Sequence, residues 1–318
     1  MPDATLHIVG EGAIPTMDKT AVILPKRRKK KTFYEHIEPW LFLLPALCVF
    51  GVFLYFPFFK TTYLSAFLTN KFGQAKVFVG FQNYIDILAG KYSGEFWNSI
   101  WVTVRFVFFV AGGSLLMGLC TSLITAKAFP GKAFASAIYA MPIAIASSAA
   151  AMSFKMILHK SIGLLNYLLG TKINWLSDEV WTFPILCILS IWLASGINFI
   201  FISAGLRNIP GELYESASID GANYWKKQLH ITLPCLSPTL FFQILVNIIN
   251  AFQAFTLVKL LTNGGPTYKT QVIVYSIYLD AFRNFRFGTA AARSIVLFVI
   301  IMAITLIQFS TEKRSVHY

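Results

Sequence analysis

The stretch Glu212-Leu213-Tyr214-Glu215-Ser216-Ala217-Ser218-Ile219-Asp220-Gly221-Ala222 stands between two long apolar runs and leads on to Ile231-Thr232-Leu233-Pro234. Pro210, just before it, suits the first turn of a helix, where its missing N–H costs nothing. Leu213, Ala217 and Ile219 recur at roughly helical spacing among polar neighbours. Gly221 can take the left-handed conformation that ends a helix. A second helical stretch is expected over 223–230. The segment 208–234 is too polar to cross a membrane and too patterned to be a slack loop. It reads as a helix–turn–helix elbow across the mouth of a helix bundle.

Outward from the elbow, the apolar runs fall at about 183–206 and 238–261, and then at 40–59, 97–126, 133–158 and 288–309. A helix needs about 20 apolar residues to cross the hydrocarbon layer, and each run is that long. A lone strand in lipid would leave its backbone unpaired, and the short alternating segments of a barrel are missing. The expected fold is therefore an all-α membrane protein with about six transmembrane helices. Composition agrees: of 318 residues, 56% are hydrophobic and 13% charged, where soluble domains carry about 25% charge. Mean hydropathy is +0.62.

The net charge of +13 is concentrated in the block Lys26-Arg27-Arg28-Lys29-Lys30-Lys31. Beside a membrane span, such a block fixes topology and touches anionic head groups; nucleic acid is not an expected partner. Residues 1–35 read as a disordered basic cytoplasmic tail and 36–318 as the transmembrane domain. Lys127, Lys132, Arg207, Lys226, Lys227, Lys313 and Arg314 then fall on the same side, while Lys71, Lys76, Lys91, Arg283 and Arg286 lie on the other, so it is the basic block that places both termini and the elbow in the cytoplasm. No apolar segment precedes the basic block, so a cleaved signal peptide is not expected.

Chemistry-bearing motifs are few. Cys48, Cys120, Cys187 and Cys235 show no C-x-x-C spacing and read as small apolar packing residues. The phosphate-loop pattern G-x-x-x-x-G-K-[ST] does not occur, the five histidines are scattered, and neither a catalytic set nor a metal site is expected. No cofactor is expected in this chain. In the loops on the other side, Val79-Gly80-Phe81-Gln82-Asn83-Tyr84 begins an amphipathic stretch, and Asn263-Gly264-Gly265-Pro266 marks a turn. The segment 270–282 reads as a short amphipathic helix lying at the outer interface. Pro142, Gly112 and Gly113 provide kinks or close approaches within spans.

Polar residues at membrane depth are costly and therefore informative. Asn247, Asn250 and Gln253 share a face of the fifth run, with Gln243 below them and Phe252 and Phe255 nearby. Trp192, Ser195 and Asn198 recur at three-residue steps in the fourth. These eight residues, Gln243 apart, are the candidates for lining a path for a polar solute, with amide bonding between helices as the alternative. Arg105, Lys155 and Arg293 either meet an anionic solute or snorkel to the interface.

The elbow resembles the signature of permease subunits of ATP-binding-cassette importers, Glu-Ala-Ala, two residues, Asp-Gly-Ala, then Ile-x-Leu-Pro. Here it reads Glu215-Ser216-Ala217, Asp220-Gly221-Ala222 and Ile231-Thr232-Leu233-Pro234; Ser216 replaces an alanine, and Gln228 or Leu229 stands where an aromatic is common. Gly80-Phe81-Gln82-Asn83-Tyr84, Gly163-Leu164-Leu165-Asn166, Thr262-Asn263-Gly264-Gly265-Pro266 and Gly288-Thr289-Ala290-Ala291-Ala292 resemble further motifs of the carbohydrate and glycerol-phosphate branch. The resemblance implies a type I importer permease fold with a cytoplasmic coupling helix. It implies that Glu215, Ala217, Asp220, Gly221, Ala222, Leu233 and Pro234 couple the spans to a separate ATPase dimer, which binds ATP and Mg. It also implies a second homologous permease, an extracytoplasmic solute-binding protein, and residence in the inner membrane. Cargo would be a sugar, an oligosaccharide or a related polyol phosphate or uronate. In the maltose-transporter branch the corresponding part of the fifth span contributes to the substrate site. The competing readings are a stand-alone secondary transporter or channel, and a membrane scaffold without transport activity.

Overall fold

The computed structural model describes residues 33–315, with side chains from 40 to 311. The basic block and the expected tail up to residue 32 lie outside the described residues. The chain divides into two compact units, Met1–Leu54 and Tyr55–Tyr318. In the first, α1 (Phe33–Phe50) carries large apolar side chains that are exposed from Trp40 onward, as a lipid-facing helix does.

The second unit holds the remaining elements. They are α2 (Phe56–Ser65), a two-stranded hairpin of β1 (Phe67–Thr69) and β2 (Ala75–Phe78), α3 (Gln82–Leu88) and α4 (Ser93–Ala126). Then come α5 (Lys132–Ala140), α6 (Ser147–Ile157), α7 (Leu164–Leu169), α8 (Thr182–Arg207), α9 (Gly211–Ile219) and α10 (Tyr224–Lys227). The chain ends with α11 (Leu233–Phe252), α12 (Ile273–Tyr278) and α13 (Phe287–Ser315). Among the described residues, five helical runs are long and apolar enough to cross a membrane: Trp40–Ser65, Ser93–Ala126, Thr182–Arg207, Tyr224–Phe252 and Phe287–Thr311. A sixth crossing is made if the bent pair Lys132–Ala144 and Ser147–Ile157 is one span.

Three elements differ from the sequence expectation. The third run bends by 103° because Pro142 sits in a 3-10 turn, Met141–Ala144, and the chain is extended at Ile145 and Ala146; proline supplies no N–H for a continuing helix. The fifth run does not continue to residue 261. It starts earlier, at Tyr224, and stops at Phe252, where the Gln253 N–H is shared between the Ile249 and Asn250 carbonyls. That tightening of the last turn ends the helix. After a break the chain resumes as a π-helical turn, Val258–Thr262. Finally, the amphipathic helix expected over 270–282 is shorter, Ile273–Tyr278 followed by the turn Leu279–Arg283, and it packs one face inside: Ile273, Tyr275, Ser276, Asp280 and Ala281 are buried, and the Ile273 N–H donates to Thr103 Oγ1 of α4 at 2.8 Å.

Close packing of α4 on α8 depends on small residues. A Cβ on Gly118 would lie 2.5 Å from the Asn198 Cβ, and one on Gly113 would lie 2.5 Å from Ile191 Cδ1. Gly112 meets nothing comparable. On the hairpin side, Asn83 Nδ2 donates to the Ser65 and Phe67 carbonyls (2.8 and 3.0 Å), and Tyr84 donates to Ser65 Oγ at 2.8 Å. The Gly80–Tyr84 motif thus ties the end of α2 to the hairpin.

A buried charge cluster joins α4, α12 and α13. Arg293, 1% exposed, places Nε 3.0 Å from Asp280 Oδ2, donates to Ser276 Oγ, and lies 3.6 Å from Glu95. Arg286 pairs with the other Asp280 oxygen and lies 3.9 Å from Glu95. Arg293 is therefore consumed by structure rather than free to meet a solute. Removing one partner of such a cluster leaves a charge buried and uncompensated, at a cost of about 3–5 kcal/mol. Arg293→Met is expected to lower the thermal unfolding midpoint in detergent, and Arg293→Met with Asp280→Asn to recover part of the loss. An unchanged midpoint in the single variant contradicts this account.

Candidate functional site

A cavity of about 340 Å³ opens where the fifth span breaks. Four elements line it. Phe106, Val110 and Ser114 come from successive turns of α4, and Ser147 from the first turn of α6. Ser190, Leu193, Ala194 and Ile197 come from α8, and Asn247, Asn250 and the break Gln253–Leu257 complete the wall. The volume falls in the range of small-molecule sites, about 300–1,000 Å³, and the mixture of apolar wall and few polar groups is typical of them. Interrupted helices at membrane depth occur where the freed backbone faces a cavity.

Of the residues singled out from sequence, Asn247, Asn250, Gln253 and Phe255 line this cavity, and Asn250 and Gln253 are exposed to it. Phe252 is buried in the core. Trp192 packs edge-on against Phe154 at 5.4 Å, and Ser195 Oγ donates to the Trp192 carbonyl at 2.7 Å. Asn198, 0% exposed, accepts hydrogen bonds from Gln243 Nε2 and Asn247 Nδ2, both at 2.9 Å, and returns one to Asn247 Oδ1 at 3.2 Å. Asn198, Gln243 and part of Asn247 therefore hold α8 to α11, which is the interhelical alternative. Sequence reading missed Phe106, Ser114, Ser147 and Ser190. Phe106, Val110 and Ser114 were detectable as a four-residue stripe, but nothing marked that stripe as facing a cavity rather than another helix.

Beyond Phe255 an aromatic row continues through Tyr275 and Tyr278, and burial pushes the Tyr275 hydroxyl above its ordinary pKa. Of the remaining cations, Arg105 lies over the Phe183 ring at 4.7 Å, and Lys155 Nζ donates to the Leu260 carbonyl at 3.3 Å. Among the described residues no three His, Cys, Asp or Glu side chains converge where a metal ion would sit.

At the opposite end of α11 the chain forms the elbow. α9 ends in a backbone-closed turn: the Ala222 N–H bonds to the Ala217 carbonyl (2.8 Å) and the Gly221 N–H to the Ser218 carbonyl (3.1 Å), with Gly221 at φ +73°. This is the Schellman arrangement, which needs a left-handed residue at that position. Asn223 caps α10 by accepting from the Lys226 N–H at 2.9 Å. Lys227 Nζ reaches Ser218 Oγ at 2.6 Å, and Tyr214 bonds Thr232 at 2.9 Å, so the two arms are braced. The second arm is not a separate helix; α10 runs through a π turn, Gln228–Thr232, into α11, with Leu233 and Pro234 in its first turn. Glu215 and Asp220 are exposed, and the turn is closed by backbone bonds rather than by their carboxylates. Large apolar side chains face outward here, Ile219 at 87% and Trp225 at 71% exposure.

Residues 39–315 match the family described as binding-protein-dependent transport system inner membrane component. The sn-glycerol-3-phosphate transport system permease protein UgpA of Agrobacterium fabrum (strain C58 / ATCC 33970) is 34% identical over 292 residues, covering 90% of this chain and 98% of that protein. A bacterial ABC transporter structure involved in the import of the acidic polysaccharide alginate matches with a TM-score of 0.76 and 25% identity, over 88% of this chain and 98% of that one. The bacterial alginate ABC transporter in complex with an alginate pentasaccharide-bound periplasmic protein matches in fold, with a TM-score of 0.77, 24% identity, and coverage of 89% and 98%.

The amide cluster and the cavity wall predict opposite behaviour. Asn198→Ala leaves the Gln243 and Asn247 amides short of partners and is expected to cost about 1–3 kcal/mol in stability. Asn250→Ala, on the cavity side, is expected to change stability by less than about 0.5 kcal/mol while weakening solute uptake. Thermal unfolding in detergent together with uptake assays separates the two; a stable Asn198→Ala or a fully active Asn250→Ala contradicts the assignment.

Proposed function

Because this chain belongs to the binding-protein-dependent transport system inner membrane components, we propose that it forms half of the path by which an ATP-driven importer carries a sugar, an oligosaccharide or a related polyol phosphate or uronate. The chain is the permease component of such an importer and not its ATPase, and a stand-alone carrier or a scaffold is set aside by the family match. Its place is the inner membrane. The elbow and both termini are assigned to the cytoplasm on the basic block Lys26–Lys31 beside the first span, with Lys127, Lys132, Arg207, Lys226 and Lys227 falling on the same side. Its partners are a second permease, an ATPase dimer that binds ATP and Mg, and an extracytoplasmic solute-binding protein.

One observation carries this reading: a single helical run, Tyr224–Phe252, connects the elbow to the cavity. At 1.5 Å per residue it is about 43 Å long. Its lower end is braced to α9, and its upper end carries Asn247 and Asn250 and stops at the cavity wall. A displacement imposed on the elbow by closure of an ATPase dimer is therefore delivered to the solute site. Packed helices answer such a push by switching between two arrangements. Ile219 and Trp225 offer the apolar anchors that a docking cleft would bury, and Glu215 and Asp220 the polar rim. Asn250 and Gln253 would bond the hydroxyls of a bound carbohydrate, and Phe255 would stack on its ring.

Gly221→Asp tests the coupling. A side chain at φ +73° strains the turn by about 1–2 kcal/mol and sets a new charge beside the anchors. The variant is expected to insert normally and keep the uncoupled ATPase rate, yet lose solute-stimulated ATP hydrolysis and uptake. Uptake at the wild-type rate would falsify the coupling role. Ile219→Asp is expected to abolish co-purification of the ATPase; full retention counts against docking at the elbow.

A further inference from the structure

The helix α12 and the turn after it, Leu279–Arg283, sort charge by face. On one face Asp280 and Ser276 are taken up by Arg293 and Arg286. On the other, the rings of Tyr275, Tyr278 and Phe282 continue the row from Phe255: Phe255 to Tyr278 is 5.2 Å, Tyr275 stacks on Tyr278 at 6.0 Å, and Tyr278 meets Phe282 at 5.5 Å. Lys259 Nζ lies over this row, 4.3 Å from the Tyr278 centroid and 5.4 Å from that of Phe255. Arg283 borders an open hollow of about 720 Å³ together with Tyr268, Gln271 and Tyr275. Among the described residues neither Lys259 nor Arg283 forms an ion pair with a carboxylate. The rim of the hollow is strained, since Thr267 and Tyr268 hold φ of +47° and +62°, and side chains in that region persist where the surroundings enforce them, commonly at functional sites.

We propose that this strip, from Arg283 through Tyr275 and Tyr278 to Lys259 and Phe255, is a staging site for an anionic carbohydrate on its way to the cavity. The solute class is a polyol or sugar bearing a phosphate or a carboxylate. The chemistry divides simply. The part-exposed rings of Phe255 and Tyr278 and the exposed ring of Phe282 cover the C–H face of the polyol, with Tyr275 buried behind them. The Arg283 fork takes the two oxygens of the anion. The Lys259 ammonium, held only by rings, exchanges them for the anion as the solute moves inward. A neutral sugar could use the rings but would leave both cations unmatched. Phe255 belongs to both the strip and the cavity wall, so the strip adjoins the cavity. This inference rests on the importer reading and narrows its cargo to the anionic members.

The test uses the complete importer, this chain with its partner permease, ATPase and binding protein, in proteoliposomes. Probes are paired by charge: sn-glycerol 3-phosphate against glycerol, and an oligogalacturonate against a neutral maltooligosaccharide. The wild type is expected to import the anionic member of a pair, with a KM that rises with salt. Lys259→Gln and Arg283→Gln are each expected to raise that KM about tenfold and to flatten its salt dependence, with Lys259→Arg restoring most of the loss. Thermal unfolding midpoints of the variants should stay at the wild-type value. Unchanged KM values in both Gln variants overturn the inference, as does wild-type import of the neutral members alone. In those cases ATP-driven uptake itself persists and the importer reading stands. Absence of ATP-driven uptake of every probe, with no stimulation of ATP hydrolysis by the binding protein, overturns both.

Discussion

A peptide group at the depth of a hydrocarbon layer must either be hydrogen-bonded within the protein or face water. The break after Phe252 meets that requirement by opening onto the cavity, and much of the surrounding structure follows from it. If the fifth run continued unbroken to residue 261, the helix would close the space that Asn250, Gln253 and Phe255 now border. Because the run stops, α6, α8 and α4 can each turn one short polar side chain toward the gap: Ser147, Ser190 and Ser114. The chain beyond the break is free to carry Phe255 and Lys259 out along a different line.

Polar groups inside the spans fall into two uses, and distance separates them. Asn198, Gln243 and Asn247 bond one another across α8 and α11 at 2.9–3.2 Å, and Arg293, Asp280, Arg286 and Glu95 neutralise one another between α4, α12 and α13. These groups hold helices in register, and their value lies in leaving no charge or amide unpaired. Asn250 and Gln253 instead border the cavity, and Lys259 and Arg283 meet no carboxylate among the described residues. An arginine in a span is thus not evidence of an anion site until its partners are known; Arg293 has three, and Arg283 meets no carboxylate among the described residues.

The elbow gains its stiffness locally and its reach from continuity. A glycine-closed turn, an asparagine cap and two side-chain bonds fix the angle between α9 and α10. Above it, α10 continues through the π turn Gln228–Thr232 into α11, so the elbow and the cavity lie on one helical run. Coupling over such a distance needs rigid elements with two discrete placements rather than a wire of special residues. The run Tyr224–Phe252 has the continuity that the proposed coupling requires.

The apolar runs, the elbow and its stop at Gly221 were legible from sequence, because each depends on local chemistry: hydrocarbon thickness sets run length, and only glycine takes a positive φ at no cost. Pro142 likewise marked the place where the third run bends, although not the angle of 103°. What tertiary structure alone decided was the partner of each polar side chain. Asn198 and Asn250 look alike in sequence, yet one is spent between helices and the other faces a cavity. The segment 270–282 is amphipathic in sequence, but that Thr103 and Arg293 are the partners of its buried face is set by tertiary packing. No proline or glycine marks the end of the fifth helix at Phe252 in the sequence; the break opens onto a cavity that neighbouring spans line. The elbow with which the reading began was therefore determined by its own residues. The site it serves was determined by which helices pack together, since a buried polar group takes its role from the group it meets.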